Sequence, residues 1–384
     1  NQKNFQKMIR KLFFIFFCLN LLNAQTLELL NKAKFAQGLF EDGLYETARK
    51  EFLELSRTTS IYSEEANFMQ AECLYQMKNW PLALKEFERV FKTATDEKVK
   101  EKAFKRMGDT YYKMGKFLSA RKTYIQYLKK YGAKEDVLFF LAQSLYNLKE
   151  FEEALKYFEE LLKKFPETKY RNYAFYTAGQ CMLSLQKFEK ARRFFSSVYK
   201  SSFDDEAKFW EGVSLLKQGN YNEAQKKFED VEKISPGSGI SKEARLKIAE
   251  ILILKKNYSQ AEEIIKQFLG DRQKSAFANY LMGQIFYMKG NFAQAGIFYK
   301  KVFEKFPRTQ WAQKSLFSLG WCYLNLKKYL KARKSFAELI LKYPDSEFFP
   351  RAQFLIAHCY YLSLIHISEP TRPLYISYAV FCLK

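Results

Sequence analysis

The sequence predicts an all-α fold, a solenoid of repeated helix–turn–helix pairs, and three observations carry that prediction. Apolar residues recur at helical spacing through most of the 384 residues. A small residue, another twelve places later, and an aromatic four places after that return at intervals of 33–37 residues. Between the apolar runs stand Gly or Pro, which end helices because one suits a left-handed cap and the other lacks a backbone donor.

Taken from the N-terminus, the first element lies outside the array. Met8 is the expected start, and residues 8–24 read as a signal peptide: Arg10 and Lys11, an apolar run from Leu12 to Leu22, then Asn23 and Ala24 before the cleavage point. That run is too short for a spanning helix, which needs about 20 residues. Phe17 precedes Cys18 where a lipoprotein signal has a small residue, so export without a lipid anchor is expected, to the periplasm or the outer membrane's vicinity.

Repeats fill residues 25–361, and their clearest copy runs from Gln313 to Pro344. Its first small residue, Gly320, is counted as position eight. The same position holds Ala36, Ala71, Gly108, Ala142, Gly179, Gly212, Ala249 and Gly283. The second small position is alanine throughout, from Ala48 to Ala332. The aromatic after it is Phe52, Phe87, Tyr124, Phe158, Phe195, Phe228, Tyr299 or Phe336, with Ile265 as the exception. Small residues are needed where two helix backbones nearly touch, and the ring fills the space beside the crossing. Gly43, Gly115, Gly219 and Gly290 fall at the turn inside a pair. Joints such as FPETK and FPRTQ separate one pair from the next. A single pair cannot bury its apolar face, so neighbours must stack on it.

This pattern resembles the tetratricopeptide repeat, over about residues 27 to 361. The resemblance implies nine complete repeats and the first helix of a tenth, coiled into a right-handed superhelix. The Pro-x-Ser/Thr joints resemble those of bacterial envelope repeat proteins, including the BamD-like outer-membrane assembly lipoproteins and their periplasmic relatives. The tail departs from the pattern. Glu369 stands where a small residue is due, and Pro370 and Pro373 forbid the expected second helix. The stretch LSLIHISEPTR resembles one reading frame of a transposase-type sequencing adapter, so residues 362–384 are expected to be an artefact on a truncated gene.

Aromatics make up 18% of the chain and serve as packing rings of the repeat. The net charge of +22 is the outlier, and it points to nucleic acid, an anionic membrane surface or an acidic partner, unless it reflects Lys-rich composition alone. Cys73, Cys181, Cys322 and Cys359 share one repeat position, two after the small residue. Stacked repeats hold such positions further apart than the roughly 7 Å a disulfide spans, so free buried thiols are expected. His358 beside Cys359 points to a different helix face, and no phosphate loop, HExxH, GxSxG or CxxC occurs. The reading is therefore no enzyme, no cofactor and no metal. The carboxylate clamp of chaperone-adaptor repeats is also absent, since Lys105 is followed by Asp109, Phe140 and Tyr173 in place of its partners.

In the family resembled, the concave groove is built mostly from first helices, at repeat positions two, five, nine, twelve and thirteen. The resemblance thus nominates Phe68, Phe139, Tyr176, Phe209, Tyr280 and Phe317 at position five. It adds Tyr75, Tyr112, Tyr146 and Tyr287 at position twelve, with Gln143, Gln180, Gln284 and Trp321 beside them. Acidic residues slightly outnumber basic ones at these positions, so the positive charge is expected on second helices and the convex face. Rings flanked by amides suit a peptide or protein segment better than a duplex. The expected function is an exported scaffold binding protein segments, in envelope assembly, with membrane contact only indirect. The alternative is a polyanion- or nucleic-acid-binding repeat protein using a basic convex face. For the fifth-position rings plain packing competes with ligand contact, because they can instead lie against the next repeat.

Overall fold

The computed structural model describes residues 27–58 and 62–365. The signal-peptide segment lies outside these, as does the tail beyond Ile365. Among the described residues there are nineteen helices and no strand. Helix α1 covers residues 27–41, and α2 (Tyr45–Ser56), α3 (Ser63–Gln76) and α4 (Trp80–Thr93) follow. Then come α5 (Glu97–Lys113), α6 (Phe117–Tyr131), α7 (Glu135–Asn147), α8 (Phe151–Lys164) and α9 (Arg171–Ser184). These form one compact unit, ending at Lys187. The other begins at Phe188 and holds α10 (Phe188–Ser196), α11 (Asp204–Lys217), α12 (Tyr221–Ile234), α13 (Gly239–Leu254) and α14 (Tyr258–Lys266). It continues with α15 (Ser275–Met288), α16 (Phe292–Lys305), α17 (Gln310–Asn325), α18 (Tyr329–Lys342) and α19 (Phe349–Ile365). The all-α class and the helical-repeat architecture match the sequence expectation. Helix α19 carries on four residues past Tyr361, into the stretch read as adapter-derived.

Within each unit the packing follows the small–small–aromatic rule. The second-position alanines are fully buried from Ala48 to Ala332. In the second unit, a Cβ added at Gly320 would lie 2.4 Å from the Phe336 ring, and one at Gly283 2.6 Å from Tyr299. The aromatic therefore rests directly on the small residue of the first helix. Ile265 fills the same slot and is equally buried. Cys73, Cys181, Cys322 and Cys359 are free and buried, as the spacing predicted. Burial pushes the first three thiols up to about 12, which keeps them protonated and unreactive.

Turns inside the pairs are closed by left-handed residues. Glycine takes this role at Gly43, Gly115, Gly219 and Gly290, but Lys78, Lys149, Lys256 and Lys327 take it in other pairs. Each turn is locked by a six-to-one backbone bond, as from Asn79 N–H to the Leu74 carbonyl at 2.9 Å. First helices lie side by side in parallel register within a unit. Arg106 on α5 reaches Glu72 on α3, and Asn325 on α17 reaches Tyr287 on α15, from near-equivalent repeat positions. Successive turns therefore fall along one edge of each unit.

Candidate functional site

In the second unit, α13, α15 and α17 present the ends of three first helices next to one another. Between them lies an open hollow of about 390 Å³. Glu250, Ile253 and Leu254 come from α13, and Gln284, Tyr287 and Met288 from α15. Both triplets occupy repeat positions nine, twelve and thirteen. Helix α17 supplies Phe317, Ser318 and Trp321, while Tyr299 of α16 closes the floor. The walls are apolar and open to solvent: Leu254 is 46% exposed, Met288 57% and Trp321 38%.

Polar groups fix these walls. The Gln284 amide nitrogen donates to the Tyr280 hydroxyl at 3.3 Å. Burial, helped by the nearby Glu250 charge, raises that phenol to about 12, so it stays neutral. Asn325 donates to the Tyr287 hydroxyl at 3.3 Å and to the Trp321 carbonyl at 2.9 Å, so one amide positions two walls. Tyr287 also packs edge-on against Phe292 at 5.2 Å, and Phe317 stacks on Phe348 at 4.7 Å. The single carboxylate in the lining, Glu250, is bonded to Lys247 at 2.8 Å. Lys247 in turn lies over Phe277, whose ring stacks on Trp311 at 3.9 Å. Burial, with Lys247 adding repulsion, lowers the Lys314 ammonium above the same Trp311 ring.

Four nominated residues, Gln284, Tyr287, Phe317 and Trp321, are thus brought together, with Tyr280 bonded behind them. Phe209 is not among them: it is buried against Phe228 at 5.5 Å. The sequence missed Ile253, Leu254, Met288 and Ser318. A comparison of position thirteen across repeats carries the signal, because Leu254 and Met288 stand where Gln76, Lys113, Asn147, Ser184, Lys217 and Asn325 stand elsewhere.

The nominated residues of the first unit have a different fate. Phe68 is buried on Phe87, and Phe139 is buried with Tyr170 stacked over it at 4.1 Å. Gln143 is buried and donates to Thr177 at 3.1 Å. Tyr75 is wedged between Trp80 and the Arg106 guanidinium. These four, with Phe209, are packing residues and present no surface to a partner, because neighbouring side chains cover each of them. Tyr112, Tyr146, Tyr176 and Gln180 remain half-buried, the first two packed on Phe117 and Phe151. Among the described residues no cluster of His, Cys, Asp or Glu could hold a metal ion, and no helix is long and apolar enough to cross a membrane.

Comparison with known proteins bears on the same two regions. A family model described as tetratricopeptide repeat matches residues 105–168, and one described as outer membrane lipoprotein matches residues 201–362. DnaJ homolog subfamily C member 3 of Gallus gallus is 33% identical over 97 residues, a stretch covering 25% of this chain and 19% of that protein. A solved tetratricopeptide repeat protein from Parabacteroides merdae aligns with a TM-score of 0.49 at 18% identity, over 67% of this chain and 98% of that one. The C-terminal part of a repeat-containing protein from Cytophaga hutchinsonii gives 0.45 at 18% identity, over 74% and 99%.

Proposed function

We propose that this chain of tetratricopeptide repeats is an interaction scaffold whose second unit captures an apolar segment of a protein or peptide. The observation that carries this is the hollow between α13, α15 and α17, walled by exposed apolar side chains at positions that are polar in most other repeats. Leu254, Met288 and Trp321 offer anchoring surface for one or two side chains of a ligand, while the Gln284 amide oxygen is placed for a backbone N–H. Nothing in the lining pairs a nucleophile with a base, so the chemistry offered is binding. The match of residues 201–362 to an outer-membrane lipoprotein family supports a place in the cell envelope; the basic and apolar layout of residues 8–24 motivates export, and a role in envelope assembly is our reading.

An array of amphipathic and fully polar peptides, probed with the full chain, tests this. Amphipathic peptides should bind, and binding should persist at high salt because the contact is apolar. Trp321→Ala combined with Met288→Glu should abolish capture while helical content stays unchanged. Capture that survives both changes, or that vanishes with salt, sinks the proposal.

A further inference from the structure

The excess positive charge is expected on second helices and the convex face, and a concentrated share of it gathers where one second helix begins. The turn from α17 to α18 and the first turns of α18 hold Lys327, Lys328, Lys331 and Lys334, all exposed. None has a carboxylate within ion-pair distance among the described residues, and the first acid in α18 is Glu338. Amid them Leu330 is 59% exposed. A leucine left in water between four unpaired ammonium groups gains nothing from the fold.

The arrangement recurs in the first unit. Lys78 with Leu82, and Lys116 with Leu118, stand at two neighbouring turns, every one exposed and both lysines unpaired. The edge is not uniform, since α8 opens on Glu152 and Glu153 and Lys187 pairs with Glu152 at 3.9 Å. Lys78 and Lys327 also occupy the left-handed position, at φ 61° and 57°, where glycine serves in other pairs.

We propose that the patch at the start of α18 docks on the surface of an anionic lipid bilayer. Its lysines would lie among the headgroups while Leu330 enters the acyl boundary. This contact is direct and peripheral, where the sequence suggested only an indirect one. Lipid is favoured over nucleic acid by the side chains between the lysines. A phosphate backbone has no use for exposed leucines, and no exposed aromatic ring lies in these turns to stack on bases.

The test is flotation of the full chain with phosphatidylcholine vesicles, pure or doped with phosphatidylglycerol. The chain should float only with the doped vesicles, and less so as salt rises. Lys327→Gln with Lys328→Gln and Lys331→Gln should lower partitioning about tenfold or more, and Leu330→Ser should lower it about threefold with charge unchanged. Lys301→Gln with Lys305→Gln and Arg308→Gln removes as many charges elsewhere in the same unit and should change little. Circular dichroism melts establish that each variant folds. Failure to float with doped vesicles overturns the proposal, as does an equal loss in the control triple. Displacement of the vesicles by duplex DNA, with Leu330→Ser silent, would make the patch a general polyanion site and likewise overturn it.

Discussion

Two groups of first helices, one in each unit, put one repeat position to opposite uses. In the first, position nine of α3 and α5 is acidic, Glu72 and Asp109, and both side chains are buried. Arg106 bonds to Glu72 at 2.8 Å and to Asp109 at 3.1 Å, Tyr124 donates to Asp109 at 2.7 Å, and Lys105 pairs with Asp136 alongside. Burial pushes the Asp109 carboxyl up, against the pull of Lys105 and Arg106. In the second unit, position nine of α15 and α17 is Gln284 and Trp321, and the neighbouring Leu254 and Met288 stand open. Charged groups of matched reach close their face by bonding to one another. Apolar groups of unequal size have no such complement, and they leave a hollow. The small–small–aromatic core is common to both, so it sets the fold and leaves position nine free to differ.

Breaking the network tests the closed face most severely. Arg106→Met leaves buried Glu72 without its cation and Asp109 with only Lys105, at 3.8 Å, and should cost about 3 kcal/mol, read as earlier melting and faster hydrogen exchange in α3 and α5. Adding Glu72→Leu and Asp109→Leu, with Tyr124→Phe to remove the hydroxyl that Asp109 accepts from, should recover most of that loss, since a buried ionic cluster and an apolar one of similar volume differ little. If the single change were harmless, the network would not be what holds this face shut.

A smaller effect is expected where core packing differs in kind. Ala71 and Ala142 already carry a Cβ at position eight in the first unit, whereas Gly320 has the Phe336 ring lying where a Cβ would stand. Gly320→Ala should destabilise by about 1–3 kcal/mol through overpacking, measured by urea unfolding. An unchanged midpoint would mean that the ring shifts freely and that glycine is not required there.

The units should also separate by pH. The Asp205 carboxylate hydrogen-bonds to Glu206 at the start of α11, and with burial this raises the Glu206 carboxyl from 4.5 to about 7. The folded state therefore holds that proton more tightly than the unfolded one. Its contribution is fully present below pH 4.5 and is lost as pH rises through 7. Asp205, held low by the same bond, acts in the opposite sense only below its ordinary value of 3.8. Melting of the second unit should fall by a few degrees between pH 4.5 and 7, and Glu206→Gln should flatten that slope. A slope that persists in the variant assigns it to another group.

The repeat register was fully legible because it depends on contacts within one helix pair, whose spacing the chain itself records: Ala332, then Phe336, then the ring on Gly320. The groove was legible only in part. Position five faces the next pair, so whether Phe139 is open depends on Tyr170, a residue in a joint that the repeat pattern does not constrain. The hollow was harder still to read, since it needs Leu254, Met288 and Trp321 from three different helices at once. Each alone reads as an ordinary exposed apolar residue.

The mildest expected effect concerns the turns of the first unit, where Gly115 and Lys149 do the same work at φ 71° and 63°. A side chain in the left-handed region crowds its own carbonyl, at a cost of roughly 1–2 kcal/mol that glycine does not bear. Glycine gives back part of this through greater freedom in the unfolded chain. Lys149→Gly should therefore stabilise by about 1 kcal/mol or less, and Gly115→Lys should destabilise by a similar amount, both read from unfolding midpoints. Lys327→Gly offers the sharper comparison. It should raise the melting temperature by the same mechanism and at the same time weaken flotation with anionic vesicles. A gain in stability with no loss of vesicle binding would leave the lysine at that turn without a use, and its strained backbone without a reason.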